Sequence, residues 1–332
     1  MKKVSLETIA KKLNVSAVTV HKALKNQQGV SDKLRLQIIN LANELGYESP
    51  APPILNNYVH IIHKKFLLGA DEQFYTPIYY YLSQECTKRN GKMYLIVHDT
   101  VAVTIQNLKN LFNETSIDGI FISGQIEKEL LTEIEKFRKT VVCIDFFSSD
   151  FKFNYVYVDN YYAGYTLAKY LIRLGHRRLC FIGDISFSDA IADRYFGCLR
   201  ALNKFRISEP CLHINTNIER EQNLTELDLP SSPTAFICHC DRAASILYNH
   251  LKMNGLNIPN DVSVISFDNT DLCNLLSPSL TSVGIEKEAF ATQAFSMMQQ
   301  ALQGKTHNLN YIKLNLSIYE RDSVKSLNQP SV

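Results

Sequence analysis

The sequence predicts a small all-α helix-turn-helix unit followed by a much larger α/β core with parallel sheets. Its 332 residues favour two domains over one. Residues 1–50 show three short patterns of apolar residues at helical spacing, with a tight turn between the first two. From residue 58 onward, apolar runs alternate with helical patterns, which predicts parallel sheets covered by helices.

Composition excludes two classes of chain. Hydrophobic residues make up 45% and charged residues 20% of the sequence, so it is neither disordered nor membrane-embedded. The net charge of +2 is unevenly distributed, because residues 1–50 hold eight basic and four acidic side chains. That segment carries +4 and the remainder −2. A basic first segment on a slightly acidic remainder indicates a module with an anionic partner.

Each of the three predicted helices follows a serine that can cap it. Ser5 precedes the first helix, Ser16 the second and Ser31 the third. Three short helices with a tight turn between the first two are typical of a helix-turn-helix unit, whose second helix enters the major groove of DNA. A small helical bundle docked on the larger domain is the alternative.

The outward face of the second helix favours DNA binding over that alternative. Ala17 and Val18 are short side chains near its beginning, and cations follow at Lys22 and Lys25. Short side chains let a helix approach base edges, while Lys22 can donate to guanine O6 or N7 and Lys25 can neutralise phosphate. His21 either donates to phosphate when protonated or packs against Lys25.

A series of motifs runs through residues 4–47, namely Leu6-Glu7-Thr8-Ile9-Ala10, Val15-Ser16-Ala17-Val18-Thr19-Val20, Ala23-Leu24, Val30-Ser31 and Leu45-Gly46-Tyr47. These motifs resemble the headpiece of the lac repressor (LacI/GalR) family of transcription regulators. The resemblance implies that positions 17, 18 and 22 read bases, while positions 16, 19 and 21 hold the DNA backbone. The predicted DNA-contacting residues are Ser5, Ser16, Ala17, Val18, Thr19, His21, Lys22, Lys25, Asn26 and Ser31.

The chain departs from the family pattern at two places. The family usually has Ser-Arg where this chain has His21-Lys22, and lysine lacks the planar fork of arginine, so base discrimination is expected to be weaker or differently directed. After the helix-turn-helix domain, residues 1–49, the family has a hinge helix whose leucine enters the minor groove. Residues 50–57 instead hold three prolines in four positions, which favours an extended spacer without a hinge helix. Insertion of Ile54 or Leu55 into the minor groove is the alternative.

Strands and helices alternate through the rest of the chain. We predict strands at 58–63, 93–97, 119–122, 141–144, 155–158, 179–182, 235–238 and 262–267, with helical patterns at 79–90, 128–137, 163–174, 194–205 and 242–254. This alternation is compatible with one parallel sheet or with two smaller ones.

Motifs in the same region point to two sheets. Ile117-Asp118-Gly119-Ile120, Leu174-Gly175-His176-Arg177-Arg178 and the run from Val262 to Asp268 resemble the effector-binding core of the same family. The resemblance implies a periplasmic binding protein-like core of type I over residues 58–332, with two parallel-sheet lobes and an effector between them. Lobe one is expected at about 58–155 and 285–315, and lobe two at about 156–284 and 316–323. The crossovers are expected near Tyr155, Ser282–Ile285 and Asn315–Ile318.

Ligands of open parallel sheets bind beyond the carboxyl ends of the strands. The loop after the first strand holds Phe74 and Tyr75, where the family often has an aromatic pair, although Phe74 is equally compatible with a helix staple. Asp159 either accepts bonds from hydroxyls or caps the next helix. Phe146 is expected at the cleft or at the dimer face.

Three more effector-binding positions follow from the family resemblance. Arg194 matches the arginine of the family's Arg-x-x-Gly motif, and its fork suits vicinal hydroxyls or a carboxylate. Asp268 matches the effector-binding aspartate of the family. Cys240 replaces a common asparagine, which indicates an effector other than a common hexose. The neighbouring Asp241 is expected to cap the following helix.

Other functions have weaker support. The sequence lacks the GxGxxG, P-loop, Gly-x-Ser-x-Gly and HExxH motifs of enzymes, so neither catalysis nor a cofactor is expected. Cys238-His239-Cys240 resembles a metal motif, but we interpret it as a strand end and expect no metal. An exported solute-binding protein would need a signal peptide, and no run approaches the roughly 18 apolar residues of a membrane span.

We therefore expect a cytoplasmic homodimer without membrane contact, in which the cysteines are reduced. Because one short helix reads only a few base pairs, the DNA partner is expected to be a near-palindromic double-stranded operator. The small-molecule effector is expected to be a carbohydrate, and repression is expected more than activation by family analogy. A nucleobase or another metabolite as effector, and an activator, are the alternatives.

Overall fold

The computed structural model describes residues 4–24, 29–45, 47, 57–68, 72–216, 229–304 and 311–328. The chain divides into two compact units, Met1–Leu55 and Asn56–Val332. None of the helices among these residues has both the length and the apolar character that a membrane crossing requires. The predicted spacer lies outside the described residues except for Asn57, and so does the prediction that no hinge helix forms there.

The first unit contains the three predicted helices, α1 at Leu6–Leu13, α2 at Ala17–Leu24 and α3 at Asp32–Glu44. Its core is formed by apolar side chains from each helix, including Ile9, Val20 and Ile38, which are fully buried. Asn14 ends α1 in the left-handed conformation with φ 53°, which turns the chain sharply toward α2. The predicted helix-turn-helix unit is confirmed.

Arg35 of α3 has a structural role that the sequence did not reveal. Its guanidinium donates to the carbonyl of Ala23 at 3.2 Å and to that of Val30 at 3.3 Å. These bonds link α3 to the end of α2, where helical carbonyls lack intrahelical partners. One of the cations counted in the basic first segment is thus used to hold the helices together.

The second unit contains two sheets, each of six strands among the described residues. The first sheet has the order β11-β5-β4-β3-β1-β2 and is parallel throughout. Its strands are β1 Asn57–His63, β2 Lys92–His98, β3 Gly119–Ser123, β4 Thr140–Ile144, β5 Asn154–Val158 and β11 Tyr311–Leu314.

The second sheet has the order β12-β10-β9-β8-β6-β7, and only its edge pair β10 and β12 is antiparallel. Its strands are β6 Leu179–Ile182, β7 Leu212–Ile214, β8 Ala235–Cys238, β9 Ser263–Phe267, β10 Thr281–Gly284 and β12 Ser317–Tyr319. Each sheet is covered on both faces by apolar clusters, as expected for parallel sheets flanked by helices.

Nine helices accompany the sheets in the described part of this unit. They are α4 Lys64–Leu67, α5 Glu72–Thr87, α6 Val101–Glu114, α7 Lys128–Glu135, α8 Asn160–Arg173, α9 Asp189–Lys204, α10 Asp241–Met253, α11 Leu272–Leu275 and α12 Lys287–Leu302. The last of these packs on the first sheet, where Phe295 stacks with Phe121 at 6.0 Å between ring centroids. The predicted fold class, a helix-turn-helix unit followed by two parallel-sheet lobes, is confirmed.

The chain passes between the two sheets three times. The crossings follow Val158, Gly284 and Leu314. The first crossing was expected near Tyr155, but that residue lies within β5, which pairs with β4 and β11 in the first sheet. Lobe one therefore extends a few residues further than the sequence predicted.

Candidate DNA-binding surface and effector cavity

The outward face of α2 presents three of the predicted DNA-contacting side chains. Val18, His21 and Lys22 are all exposed, and their spacing places them on one side of the helix. Val18 is 63% exposed, which is unusual for an apolar residue in a unit with its own core. Lys25 and Asn26 lie outside the described residues.

The predicted serine caps are only partly as expected. Ser16 accepts a bond from the backbone N–H of Thr19 at 3.0 Å, and its Oγ lies 2.8 Å from Thr19 Oγ1. Ser31 accepts more weakly from the N–H of Leu34 at 3.4 Å. Ser5 occupies the N-cap position of α1, but its hydroxyl contacts Thr8 Oγ1 instead of a backbone N–H.

Ala17 differs from its expected placement. The sequence placed it on the outward face of α2, whereas the structure has it half-buried and packed against the core of the helix-turn-helix unit. It begins the helix, and its small side chain faces partly inward there. The exposed face is thus formed by Val18, His21 and Lys22 among the residues described.

A cavity of about 590 Å³ lies in the second unit, between the two lobes. Its size is that of a pocket for a small molecule. Six of the predicted effector residues are joined there by further acidic, basic and aromatic side chains. The predicted residues that line it are Phe74, Tyr75, Phe146, Arg194, Cys240 and Asp268, and Asp145, Lys65 and Lys313 are among the others.

Arg194 of α9 is the most strongly held of these residues. It is 8% exposed, and its Nε donates to Asn160 Oδ1 at 2.8 Å. One terminal nitrogen donates to Asp268 Oδ1 at 3.0 Å and the other to the carbonyl of His239. Burial opposes the charge of Arg194, but the nearby Asp268 and Asp145 raise its pKa above the ordinary value.

Two glycines bring Arg194 to this position. A Cβ at Gly164 of α8 would lie 2.0 Å from the carbonyl oxygen of Arg194, and one at Gly197 of α9 would lie 2.0 Å from that of Tyr161. The backbones of α8 and α9 can therefore approach only because both positions lack a side chain.

Asp268 follows β9 in an unusual backbone conformation. Its φ is +101°, a region that residues other than glycine rarely adopt. Its N–H donates to the carbonyl of Val283 at 2.7 Å, and its own carbonyl accepts from Lys287 Nζ. Strained conformations of this kind cluster at ligand sites. The contact between Arg194 and Asp268 brings the two expected residues together, and their binding of an effector stays a prediction.

Asp145 is a cavity residue that sequence reasoning missed. Its Oδ2 accepts from the hydroxyl of Tyr75 at 2.7 Å, while its Oδ1 is buried without a hydrogen-bond partner among the described residues. Burial raises the pKa of Asp145 to about 6. The available signal was its position directly after β4, next to the predicted Phe146.

Phe74 and Tyr75 line the cavity from a helix instead of the expected loop. The sequence placed the helix at 79–90, but α5 begins at Glu72, so both rings lie in its first turns. The ring of Phe74 contacts Phe290 of α12 at 6.5 Å between centroids, and Lys287 Nζ lies 4.7 Å from its centroid. Phe74 thus contributes both to the core and to the cavity wall.

Cys240 lines the cavity and also caps α10, a role that the sequence analysis gave to Asp241. Cys240 is the N-cap of α10, where its Sγ accepts from the N–H of Ala243 at 3.4 Å. Asp241 was expected to cap that helix, but it is buried and accepts from the hydroxyls of Ser266 and Ser282 at 2.5 and 2.6 Å. Asp241 therefore links β9 and β10 of the second sheet instead of capping the N-terminus of α10.

Asp159 does not line the cavity. Its Oδ1 accepts from the N–H of Tyr162 at 2.8 Å and caps α8, which was the alternative that the sequence left open. Its Oδ2 lies 2.9 Å from Lys313 Nζ. Both oxygens are engaged, so we correct its assignment from effector contact to helix cap and positioning of Lys313.

One group of side chains that includes the cavity residue Glu127 has ligands suited to a metal. His63, His98 and Glu127 bring one ligand atom each within 4.8 Å of one another. The Cys238-His239-Cys240 segment is instead the end of β8, as interpreted, and His239 Nδ1 lies 3.2 Å from the carbonyl of Ile182. No sequence motif indicated the first group, because its members are far apart in the chain.

Two family models match the chain. One, described as bacterial regulatory proteins of the lacI family, covers residues 5–49, and one described as a periplasmic binding protein-like domain covers residues 168–324. The NTD biosynthesis operon regulator NtdR of Bacillus subtilis (strain 168) is 27% identical over 331 residues, which are 96% of this chain and 99% of that protein. The HTH-type transcriptional repressor CytR of Escherichia coli (strain K12) is 25% identical over 335 residues, with 97% of each chain covered.

Solved structures share the fold over nearly the whole chain. The transcriptional regulator CelR–cellobiose complex matches with a TM-score of 0.70 at 19% identity, over 96% of this chain and 99% of that one. The lac repressor dimer bound to operator and the anti-inducer ONPF matches with a TM-score of 0.67 at 19% identity, over 98% and 100%. With one family model on each of its two units and relatives that align from end to end, this protein belongs to the lacI family of bacterial regulatory proteins.

Proposed function

We propose that this regulator is a homodimeric repressor, which binds a near-palindromic operator through α2 and is controlled by an uncharged or amine-bearing carbohydrate in the cavity between its lobes. The observation that carries the proposal is the set of Arg194, Asp268 and Asp145 around one cavity. A guanidinium donates and carboxylates accept, which is the arrangement that vicinal hydroxyls need. The cellobiose complex of CelR supports a sugar as the class of effector.

The charges of the cavity favour some carbohydrates over others. Five carboxylates line it against three cations, so an anionic effector such as a sugar phosphate would meet net repulsion. The carboxylates are those of Glu127, Asp145, Asp189, Asp193 and Asp268, and the cations are those of Lys65, Arg194 and Lys313. The buried Oδ1 of Asp145 needs a donor, which a hydroxyl or an ammonium group supplies.

The exposed face of α2 supports operator binding. Val18 can contact a thymine methyl and Lys22 can donate to guanine, while His21 reaches toward phosphate. A single short helix reads only a few base pairs, so specificity requires two copies on two half-sites. The operator-bound lac repressor dimer and the repressor CytR support a dimer and repression for this chain.

The domain limits and the location of the protein belong to the same proposal. A helix-turn-helix domain at 1–49, a spacer at 50–57 and a core at 58–332 agree with the division of contacts between Leu55 and Asn56. A regulator that binds chromosomal operators acts in the cytoplasm of a bacterium.

The test combines DNA binding with a ligand screen. Fluorescence anisotropy on the chain's own promoter region should give nanomolar binding that weakens with salt, and unrelated DNA should bind far more weakly. A thermal-shift screen should compare neutral sugars, amino sugars, sugar phosphates and nucleosides. An effector at 100 times its dissociation constant should add about 2.7 kcal/mol to the stability of the folded protein.

The variant Asp268→Ala separates the two activities. We expect it to bind operator like the wild type and to lose the effector response, because the core is altered and the face of α2 is not. Retained induction in Asp268→Ala would remove this residue from the site. A preference for sugar phosphates would contradict the charge argument, and no operator binding at any salt concentration would overturn the proposed function.

A further inference from the structure

Two histidines, His63 and His98, meet Glu127, a residue that lines the cavity. His63 and His98 end the neighbouring parallel strands β1 and β2, and the register pairs them directly. Glu127 immediately precedes α7, so its side chain reaches the same edge of the sheet. Because the carboxyl ends of parallel strands lie side by side, residues far apart in sequence form one cluster.

The geometry directs three ligand atoms at one point. His98 Nε2 lies 2.8 Å from Glu127 Oε2, and His63 Nε2 lies 3.8 Å from Glu127 Oε1. The two imidazole rings are 5.0 Å apart between centroids and nearly perpendicular, at 87°. They therefore do not stack, and both direct an Nε2 toward the same carboxylate.

Burial and a hydrogen bond to Thr104 hold the ring of His98 in the orientation that a metal ligand needs. The side chain is completely buried, and its Nδ1 lies 2.8 Å from the hydroxyl of Thr104. Without an ion, His98 Nε2 donates to Glu127, and ligation requires the other tautomer. The Thr104 hydroxyl can then accept the Nδ1 proton, which leaves the lone pair of Nε2 for the metal ion. Partners of this kind orient histidine ligands in metal sites.

His63 needs one local change. Its Nδ1 accepts from the backbone N–H of Lys65 at 3.0 Å, and ligation through Nε2 requires the proton on Nδ1. One hydrogen bond at the start of α4 is thus exchanged for a metal–ligand bond. Burial, together with the nearby Lys65 and His98, lowers the pKa of His63, in the direction of the neutral ring that ligation requires.

We propose that His63, His98 and Glu127 form a binding site for a divalent transition-metal ion, with Zn²⁺ as the representative probe. Two imidazoles and one carboxylate suit zinc and its neighbours, whereas Mg²⁺ and Ca²⁺ require oxygen ligands. Three protein ligands leave at least one coordination position open. Glu127 also lines the effector cavity, so the open position faces the region where an effector with hydroxyl or amine groups would lie.

The consequence for the regulator is a change of charge at Glu127, in the lining of the cavity. Without the ion, Glu127 adds one negative charge to the lining and accepts from His98. With the ion, the cluster carries a net positive charge at the same place. This inference goes beyond the proposed function, and its test needs neither DNA nor an effector.

Isothermal titration of the tag-free full-length protein with ZnCl₂ tests the site directly. We expect one ion per chain with a micromolar or tighter dissociation constant, and no saturable heat with MgCl₂. The eight cysteines are buried in the folded chain, and Cys240, which lines the cavity, accepts from the N–H of Ala243. Co²⁺ should give visible absorption bands in the same stoichiometry, because its spectrum reports nitrogen and oxygen ligands.

Three variants connect binding with these residues. Glu127→Gln should weaken zinc binding about tenfold or more, and its half-exposed side chain makes a folding defect implausible. His98→Gln should have at least the same effect, with folding checked by circular dichroism because this side chain is buried. His250→Gln, on α10 away from the cluster, is the matched control and should bind zinc like the wild type.

Two results would overturn the proposal. The first is wild-type protein without saturable zinc binding, which would make the cluster a carboxylate hydrogen-bonded to histidine and nothing more. The second is zinc binding that Glu127→Gln leaves unchanged, which would place the ion elsewhere.

Discussion

The two candidate binding regions of this regulator are built in opposite ways. In the helix-turn-helix unit, the side chains expected to read DNA are exposed, and Val18 at 63% has little support from its neighbours. In the core, Arg194 is buried and donates to Asn160, His239 and Asp268. The core thus holds its binding groups through buried hydrogen bonds, while the exposed side chains of α2 have fewer contacts within the protein.

This difference predicts whether a substitution at each site changes the free energy of binding alone or also the free energy of folding. Exposed side chains lose their conformational freedom on binding, so their substitution should change affinity with little effect on stability. Buried and mutually bonded groups contribute to folding as well, so their substitution should change both. The following predictions test this contrast in order of decreasing effect on stability.

The largest effect is expected from Arg194→Leu. This variant removes the donor of the half-buried Asp268 and of the buried Asn160. Breaking a buried ion pair costs about 3–5 kcal/mol of folding free energy, and the partial exposure of Asp268 puts this pair at the lower end. Urea unfolding should detect the loss, and effector binding should disappear. Arg200→Leu on the exposed side of the same helix is the matched control. Equal stability of the two variants would contradict the idea that the cavity wall is part of the folding energetics.

An intermediate, pH-dependent effect is expected from Asp145→Asn. Burial raises the pKa of Asp145 from 3.8 to about 6, so the folded protein takes up a proton that the unfolded chain releases at lower pH. The stabilisation from this proton is complete below about pH 4 and is lost as the pH rises through 6. The wild type should therefore lose on the order of 2–3 kcal/mol across this interval from this group.

Unfolding of Asp145→Asn should show a flatter pH profile between pH 4 and 6. Asp150→Asn, at an exposed aspartate of the same lobe, should keep the wild-type slope. Parallel profiles for the wild type and Asp145→Asn would show that the carboxylate is better solvated than its buried oxygen indicates. Effector affinity should also fall in Asp145→Asn, because an amide offers a weaker acceptor than a carboxylate.

The smallest effect on stability is expected from Lys22→Ala. The side chain is exposed, so unfolding should change by less than about 0.5 kcal/mol. Specific operator affinity should nevertheless fall by about 1–3 kcal/mol, while affinity for unrelated DNA falls much less. Lys12→Ala, at an exposed lysine of α1, serves as control with a small and sequence-independent loss. Equal losses on specific and unrelated DNA would mean that Lys22 contacts phosphate only.

The sequence predicted eight of the twelve described strands and missed β7, β10, β11 and β12. β3 and β9 are fully buried and stood out as apolar runs. β7, β11 and β12 are half-exposed, so their sequences show no continuous apolar run. β10 is buried, but Val283 is the one strongly apolar side chain in its four residues, so it formed no apolar run. The first crossover was expected near Tyr155 by family analogy and follows Val158 instead, because all of β5 pairs within the first sheet.

The candidate sites show a similar limit. Arg194 and Asp268 were found because the family resemblance marks single positions. Asp145 was missed because an acidic residue after a strand carries no distinctive pattern, and the cluster of His63, His98 and Glu127 exists only through the register of β1 and β2. The cap of α10 was assigned to Asp241 instead of Cys240 because the helix begins one residue earlier than predicted, which turns Asp241 inward.

The contact between α8 and α9 through Gly164 and Gly197 has a consequence for the evolution of effector preference. The arginine and the glycine of the Arg-x-x-Gly motif depend on each other, because Gly197 allows α9 to approach α8 and this approach positions Arg194. A shift of α9 during the evolution of a new effector preference would disturb both the contact at the glycine and the position of the arginine. New preferences should therefore arise on the opposite wall and at the helix cap, at positions such as Phe146 and Cys240, while the arginine stays as a fixed anchor around which the rest of the cavity diversifies.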